Sequence, residues 1–138
     1  AREMIKRGRG GRIICLSSIH AALSLPQSGH YAATKGGMEA LCRTLATELA
    51  PYKITANYLR PGATYTELTT PMYTPAVKRS LLERVPLQEI ADPDWIAAGA
   101  VFLASDESRY MTGQQLTIDG GYLMDGSLPA AEYCKDGP

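Results

Sequence analysis

The sequence predicts an α/β fold built on a parallel sheet, and three observations carry that prediction. Short apolar runs rich in branched residues recur three times, segments of helical period separate them, and turn-forming residues close each run. Strand, helix, strand, helix, strand is the alternation whose right-handed crossovers build a parallel sheet. Before the first run, Met4 and Ile5 read as the last turn of a helix ended by Gly8, Gly10 and Gly11. The basic residues there, Arg2, Lys6, Arg7, Arg9 and Arg12 against Glu3, suit a helix C-terminus. A nucleic-acid arm is the competing reading, but no aromatic side chain is present to stack on bases.

The first strand is Arg12-Ile13-Ile14-Cys15-Leu16, closed by Ser17-Ser18, and a loop marked by Pro26, Ser28 and Gly29 follows. From Tyr31 to Ala50 the pattern turns helical until Pro51 stops it. Tyr31, Lys35, Met38, Cys42, Leu45 and Leu49 fall on one face, so a tyrosine and a lysine are expected to head a buried stripe. The second strand is Lys53 to Leu59, cut by Pro61-Gly62. Residues 63–73 read as a functional loop, with a short helix around Ala76 to Arg84. Asp92 caps a helix with Pro93 at its first position, running to Ala104 with an apolar, small-residue surface. Gln115 to Ile118 is the third strand, before the Asp119-Gly120-Gly121 turn, and residues 122–138 form a polar tail expected to be partly disordered at its end.

The 138 residues fit one globular unit without repeat or linker. Fourteen basic residues balance fourteen acidic ones, so charge points to neither nucleic acid nor an anionic membrane. Apolar runs such as Ile96 to Ala104 fall short of the roughly 18 residues of a spanning helix, and the basic start lacks a signal-peptide core, so the expected location is the cytoplasm. Cys15, Cys42 and Cys134 suggest neither a disulfide framework nor a zinc site, and His20 and His30, ten apart, give no metal spacing. Ser17 or Ser18 with a nearby histidine does not make a hydrolase, because no Gly-x-Ser-x-Gly elbow is present.

Ligands in open parallel sheets bind beyond the carboxyl ends of the strands, where Ser17-Ser18, Pro61-Gly62 and Asp119-Gly120 fall. The loop after the first strand returns Tyr31 and Lys35 to the same edge. A phenol is a poor acid-base group at neutral pH unless a cation favours its ionised form, which explains an ammonium four residues on. Ser18 would then hold the substrate oxygen. By itself Tyr-x-x-x-Lys is common, and a core tyrosine beside a snorkelling lysine fits it equally.

The wider pattern is more specific. Ser17-Ser18, Tyr31-Ala32-Ala33-Thr34-Lys35-Gly36-Gly37, Asn57 to Pro61-Gly62 with Thr66, and Gly113 to Gly121 occur in order, with Ser18 thirteen residues before Tyr31. From about Gly11 to Tyr122 the chain resembles the short-chain dehydrogenase/reductase family, and Ser17-Ser18-Ile19-His20 with His30 to Met38 is most similar to its glucose 1-dehydrogenase group. Oxoacyl-carrier-protein reductases share much of this pattern. The resemblance implies the C-terminal half of a doubly wound, Rossmann-like domain, with residues 1–138 as its catalytic and substrate-lid half. It implies NAD or NADP as cofactor and hydride transfer between a nicotinamide and a secondary alcohol or ketone, sugars such as glucose included.

Carried over by position, Tyr31 matches the general acid-base residue, Lys35 its partner and the binder of the nicotinamide ribose, and Ser18 the residue orienting the substrate oxygen. Pro61, Gly62, Thr64 and Thr66 match the segment closing over the nicotinamide. His20 is expected to line the substrate pocket, and residues 67–90 to form the lid. Homo-oligomers, dimers or tetramers, are implied, with interfaces on the helices starting near Tyr31 and Asp92.

The sequence departs from the family in length, since members run to roughly 250 residues. Gly8-x-Gly10-Gly11 precedes a strand instead of following one, so it cannot cradle a pyrophosphate. The segment that separates NAD from NADP and the asparagine of the proton relay find no match. Two expectations therefore compete: the recorded half of an ordinary enzyme, or a catalytically incompetent half-domain that acts as an interaction module. The second would leave the first strand with an unpaired parallel edge.

Overall fold

The computed structural model describes residues 1–125. The disorder expected at the end of the tail, and Cys134, lie outside the described residues. Four helices and three strands follow in order: α1 (Arg2–Arg7), β1 (Gly11–Leu16), α2 (Gly29–Leu49), β2 (Ile54–Pro61), α3 (Pro75–Leu82), α4 (Pro93–Ala104) and β3 (Gln115–Ile118). The strands form one parallel sheet in the order β1-β2-β3, with Gly11 opposite Ile54, Leu16 opposite Leu59, and Tyr58 opposite Gln115. The α/β alternation read from the sequence is thus present.

Side-chain alternation along the strands divides the core between two faces. On one, Ile13 and Cys15 of β1 and Ala56 and Tyr58 of β2 meet Cys42, Leu45 and Ala46 of α2. On the other, Ile14, Leu59, Leu116 and Ile118 meet Ile96, Ala100 and Leu103 of α4. The small residues of α4 let it come close: a Cβ on Gly99 would lie 2.5 Å from Ile118 Cδ1 and 3.2 Å from Leu59 Cδ1. Asp92 caps α4 as expected, its Oδ1 accepting the Asp94 amide at 2.9 Å with Pro93 at the first helical position.

Several boundaries differ from expectation. Lys53 takes a left-handed conformation (φ 58°) that ends the 3-10 turn after α2, so β2 begins at Ile54. The strand then runs on to Pro61 because its partner β3 still pairs there, Pro61 lying opposite Ile118. Residues 63–73 are not a bare loop, since Thr64 bridges to Ala91 and residues 70–72 form a 3-10 turn.

The stripe on α2 is also corrected. Its buried residues are Glu39, Cys42, Ala46 and Leu49, so the face covering the sheet starts at the third turn and includes a carboxylate. Tyr31 is 39% exposed and Lys35 half-buried, because the first turns face the segment after β1, where residues 19–21 make a 3-10 turn, and not the core. No helix among the described residues is long and apolar enough to cross a membrane.

Candidate active site

The carboxyl end of β1 organises the site. The Ser17 amide continues the ladder by donating to the Leu59 carbonyl at 2.7 Å, and the chain then turns into residues 19–21. Ser18 is the N-cap of that turn, its Oγ accepting the His20 amide at 3.2 Å. Its hydroxyl proton is given to no acceptor among the described residues, although the residue is 8% exposed. His20, two residues further on, has a buried Nδ1 with no hydrogen-bond partner among the described residues.

Tyr31 and Lys35 arrive from α2, which begins two residues earlier than expected, at Gly29. The Lys35 ammonium donates to the Leu16 carbonyl at 2.8 Å and sits 5.6 Å from the centre of the Tyr31 ring. One of its three protons is therefore committed to the end of β1, leaving two for a ligand. The structure brings Lys35 both to Tyr31 and to the strand that carries Ser18. His30 is exposed, and its carbonyl accepts from Thr34 Oγ1 at 2.8 Å.

The next strand end supplies a second wall. The Gly62 amide donates to the Ile118 carbonyl at 2.8 Å, and a Cβ on Gly62 would lie 2.6 Å from Asp119 Cα, so only glycine allows this approach to the turn after β3. Asp119 closes that turn by accepting the Gly121 and Leu123 amides at 2.9 and 2.8 Å. Thr64 is nearly buried, and its carbonyl receives two hydroxyls, Thr69 Oγ1 at 2.6 Å and Tyr73 OH at 3.3 Å. Thr66 is exposed and tied to Thr69: each amide donates to the other's Oγ1, at 3.0 and 3.1 Å, with the two hydroxyls 2.8 Å apart. Of the segment expected at the nicotinamide, Pro61, Gly62 and Thr64 stand at the carboxyl ends of the strands, while Thr66 braces the turn that runs on to Thr69.

Four residues here escaped the sequence reading: Glu39, Arg60, Thr69 and Tyr73. Glu39 is 3% exposed and receives Arg60 Nε at 2.7 Å, a second Arg60 nitrogen on its other oxygen, and Ser17 Oγ. Burial alone would raise its carboxyl, but hydrogen bonds from Arg60 and Ser17 and the charges of Arg60 and Arg43 outweigh burial and hold it below the usual carboxylate range. The same hydrogen bond raises Arg60 further. A signal existed: a glutamate four residues after Lys35 falls within the apolar face, and an arginine ends a buried strand, so opposite charges on two buried elements had to pair. On the same helix face, burial and the neighbouring Cys15 push the Cys42 thiol up to about 12, which suits a small hydrophobe rather than a nucleophile.

An open concavity of about 370 Å³ lies on the turn after β3, lined by Pro86, Leu87, Thr117 to Gly121 and Met124. None of the residues expected to act in chemistry reaches it.

A strand-end serine, a Tyr-x-x-x-Lys helix and a glycine-tight second strand end thus gather at the carboxyl edge of one parallel sheet, the edge at which such sheets bind ligands. The family model described as enoyl-(acyl carrier protein) reductase matches residues 1–123, and the chain belongs to the short-chain dehydrogenase/reductase family. It is 40% identical over 126 residues to the L-rhamnose 1-dehydrogenase (NAD(P)(+)) of Azotobacter vinelandii, covering 91% of this chain and 49% of that protein. It is 39% identical to a 3-oxoacyl-[acyl-carrier-protein] reductase of Staphylococcus epidermidis, covering 86% and 48%. A gluconate 5-dehydrogenase from Burkholderia cenocepacia, solved with NADP and tartrate, superimposes with a TM-score of 0.85 at 37% identity, over 89% of this chain and 48% of that one. The chain spans about half the length of the relatives it matches.

Proposed function

We propose that this chain is the catalytic half of an NAD(P)-dependent oxidoreductase that interconverts a secondary alcohol and a ketone, with sugars or sugar acids as the substrate class. One observation carries the reading: the Lys35 ammonium, fixed on the Leu16 carbonyl, lies beside the Tyr31 ring and next to the strand end bearing Ser18. The sugar and sugar-acid dehydrogenases among the relatives support the substrate class over the glucose-specific expectation.

The residues present fit the nicotinamide end of the cofactor. Lys35 keeps two donors for ribose hydroxyls, and Gly62 leaves no side chain between the end of β2 and the Asp119 turn. The pyrophosphate end has no counterpart among the described residues: Gly8 ends α1 in a left-handed turn, and Gly10 packs against the Lys53 carbonyl, so neither opens onto a helix N-terminus. When bound, the nicotinamide takes or gives the hydride. Ser18 donates its free hydroxyl proton to the substrate oxygen, orienting the alcohol carbon. Tyr31, as phenolate, would accept the alcohol proton and, as phenol, would return it in the reverse direction. Lys35 places a positive charge against the Tyr31 ring, which favours the ionised phenol, and would hold the ribose. Pro61, Gly62 and Thr64 bound the nicotinamide, Thr66 anchors the lid, and His20 lines the substrate side.

The same reading places the enzyme in the cytoplasm as a homo-oligomer, with the exposed Leu41 of α2 and Trp95, Val101 and Phe102 of α4 in the contacts. A second reading, the non-catalytic interaction module, draws on those residues and on β1, which pairs with β2 alone among the described residues. The two separate in one assay of the full-length protein, with L-rhamnose, gluconate and glucose offered with NAD or NADP. Turnover is expected, and Tyr31→Phe is expected to abolish it with cofactor affinity within about twofold. Retained turnover in Tyr31→Phe overturns the role of Tyr31. Absence of turnover and of nicotinamide binding in the unaltered protein favours the module.

A further inference from the structure

Three elements meet at one buried carboxylate. Glu39 comes from α2 one turn after Lys35, Arg60 from β2 immediately before Pro61-Gly62, and Ser17 from the end of β1 immediately before Ser18. The guanidinium grips both oxygens of Glu39, and the Ser17 hydroxyl donates to Oε1. Arg60 also lies 5.6 Å from the centre of the Tyr58 ring, whose hydroxyl accepts from Arg43 at 3.3 Å. Each group in the knot is thus the chain neighbour, or the helical neighbour, of a group assigned to chemistry, and all three side chains are largely withdrawn from solvent.

A core pair of this kind is a weak source of stability, because desolvation offsets most of its attraction, and an apolar pair of similar volume often does as well. Its geometry is more informative than its energy. A bidentate arginine–carboxylate contact fixes both partners in plane and distance, which sets the offset between α2 and the ends of β1 and β2. We propose that Glu39 is a positioning residue: with Arg60 and Ser17 it sets the placement of Ser18 against Tyr31 and Lys35, and so tunes the chemical step without touching substrate or cofactor. This inference rests on the oxidoreductase reading given above.

The test compares Ser17→Ala, Glu39→Gln and the double variant Glu39→Leu/Arg60→Met in the full-length protein, by thermal melting, steady-state kinetics and amide hydrogen exchange. Glu39→Gln strands a buried guanidinium and lowers the melting temperature, and the double variant restores it. The expected signature is a kcat that stays down about tenfold or more in both, and in the fully folded Ser17→Ala, while KM for the nicotinamide changes by less than about twofold. Exchange at the Ser17 and His20 amides, which report the strand end and the Ser18 hydroxyl, is expected to quicken in Ser17→Ala and Glu39→Gln while β3 stays unchanged. Recovery of kcat together with melting temperature in the double variant makes the knot purely structural and overturns the proposal. If the unaltered protein oxidises no alcohol, the function falls, and exchange decides alone: local quickening at Ser17 and His20 upholds the positioning, and unchanged exchange overturns it.

Discussion

β1 and β2 lie side by side in register and both end at the site, yet they are covered very differently. In β2, Ile54 and Leu59 are 1% exposed and ladder partners stand on both edges; in β1 no residue is fully buried, and Leu16, at its last position, is 55% exposed. Both are rich in branched apolar residues, so composition does not set the difference. Pairing among the described residues does: β2 has a ladder partner on each side and helices on both faces, whereas β1 has a partner on one side only. Ser18 thus follows the less covered strand, to whose end Lys35 is bonded, and Glu39 ties the neighbouring Ser17 to Arg60 on the covered one.

The largest expected difference is in stability. Leu59→Ala opens a cavity between α4 and the sheet and is expected to cost about 2–5 kcal/mol. Leu16→Ala, by contrast, is expected to cost about 0.5 kcal/mol or less, and chemical denaturation of both variants checks the ratio. Equal losses would show that β1 is covered in solution as thoroughly as β2.

Acid sharpens the comparison next. The folded-state carboxyl of Glu39 lies below its ordinary value, so its contribution is fully present above the unfolded value, about 4.3, and is lost as pH falls through the lower folded value. Melting of the unaltered protein is expected to decline on that side of pH 4 more steeply than that of the Glu39→Leu/Arg60→Met variant. Parallel curves would remove Glu39 from the acid response. Smaller than the loss in Leu59→Ala is that of Thr69→Val, which deletes the hydrogen bond to the Thr64 carbonyl and the two links from Thr69 Oγ1 to Thr66, at about 1 kcal/mol. Faster proteolysis between residues 66 and 90 is the measurement, with β1 and β2 unaffected.

Much of the frame was legible because local rules agreed with tertiary ones. β3 and α4 follow their turn residues and cap: Gly113 and Asp119 bracket the strand, and Asp92-Pro93 opens the helix. Ser18, Tyr31 and Lys35 were legible through their order and spacing, and the structure joins Lys35 to Tyr31 and to the end of β1. The ends of β2 were less legible, since a left-handed Lys53 has no sequence signature and Pro61 reads as a terminator though it can close a strand. Glu39 and Arg60 were missed because a period of 3.6 ranks residues by polarity, and a charge on the inner face counts as noise until its partner on another element is known. Thr69 and Tyr73 were hidden for the same reason: hydroxyls that serve a carbonyl five and nine residues back leave no pattern.

The peptide unit joining Thr64 to Tyr65 is held at both ends. Its carbonyl takes the Thr69 and Tyr73 hydroxyls, and its N–H donates to the Ala91 carbonyl at 3.0 Å. Further along, the Leu87 amide grips the Gly120 carbonyl at 3.1 Å, and the Ala91 amide the Ala63 carbonyl at 2.9 Å. The stretch carrying α3 is therefore clamped to the sheet at its root and again at its return, like a bucket handle on two rivets. Such a double anchorage keeps both ends of the α3 stretch against the sheet, while α3 itself, none of whose residues is buried, is the part left open to solvent.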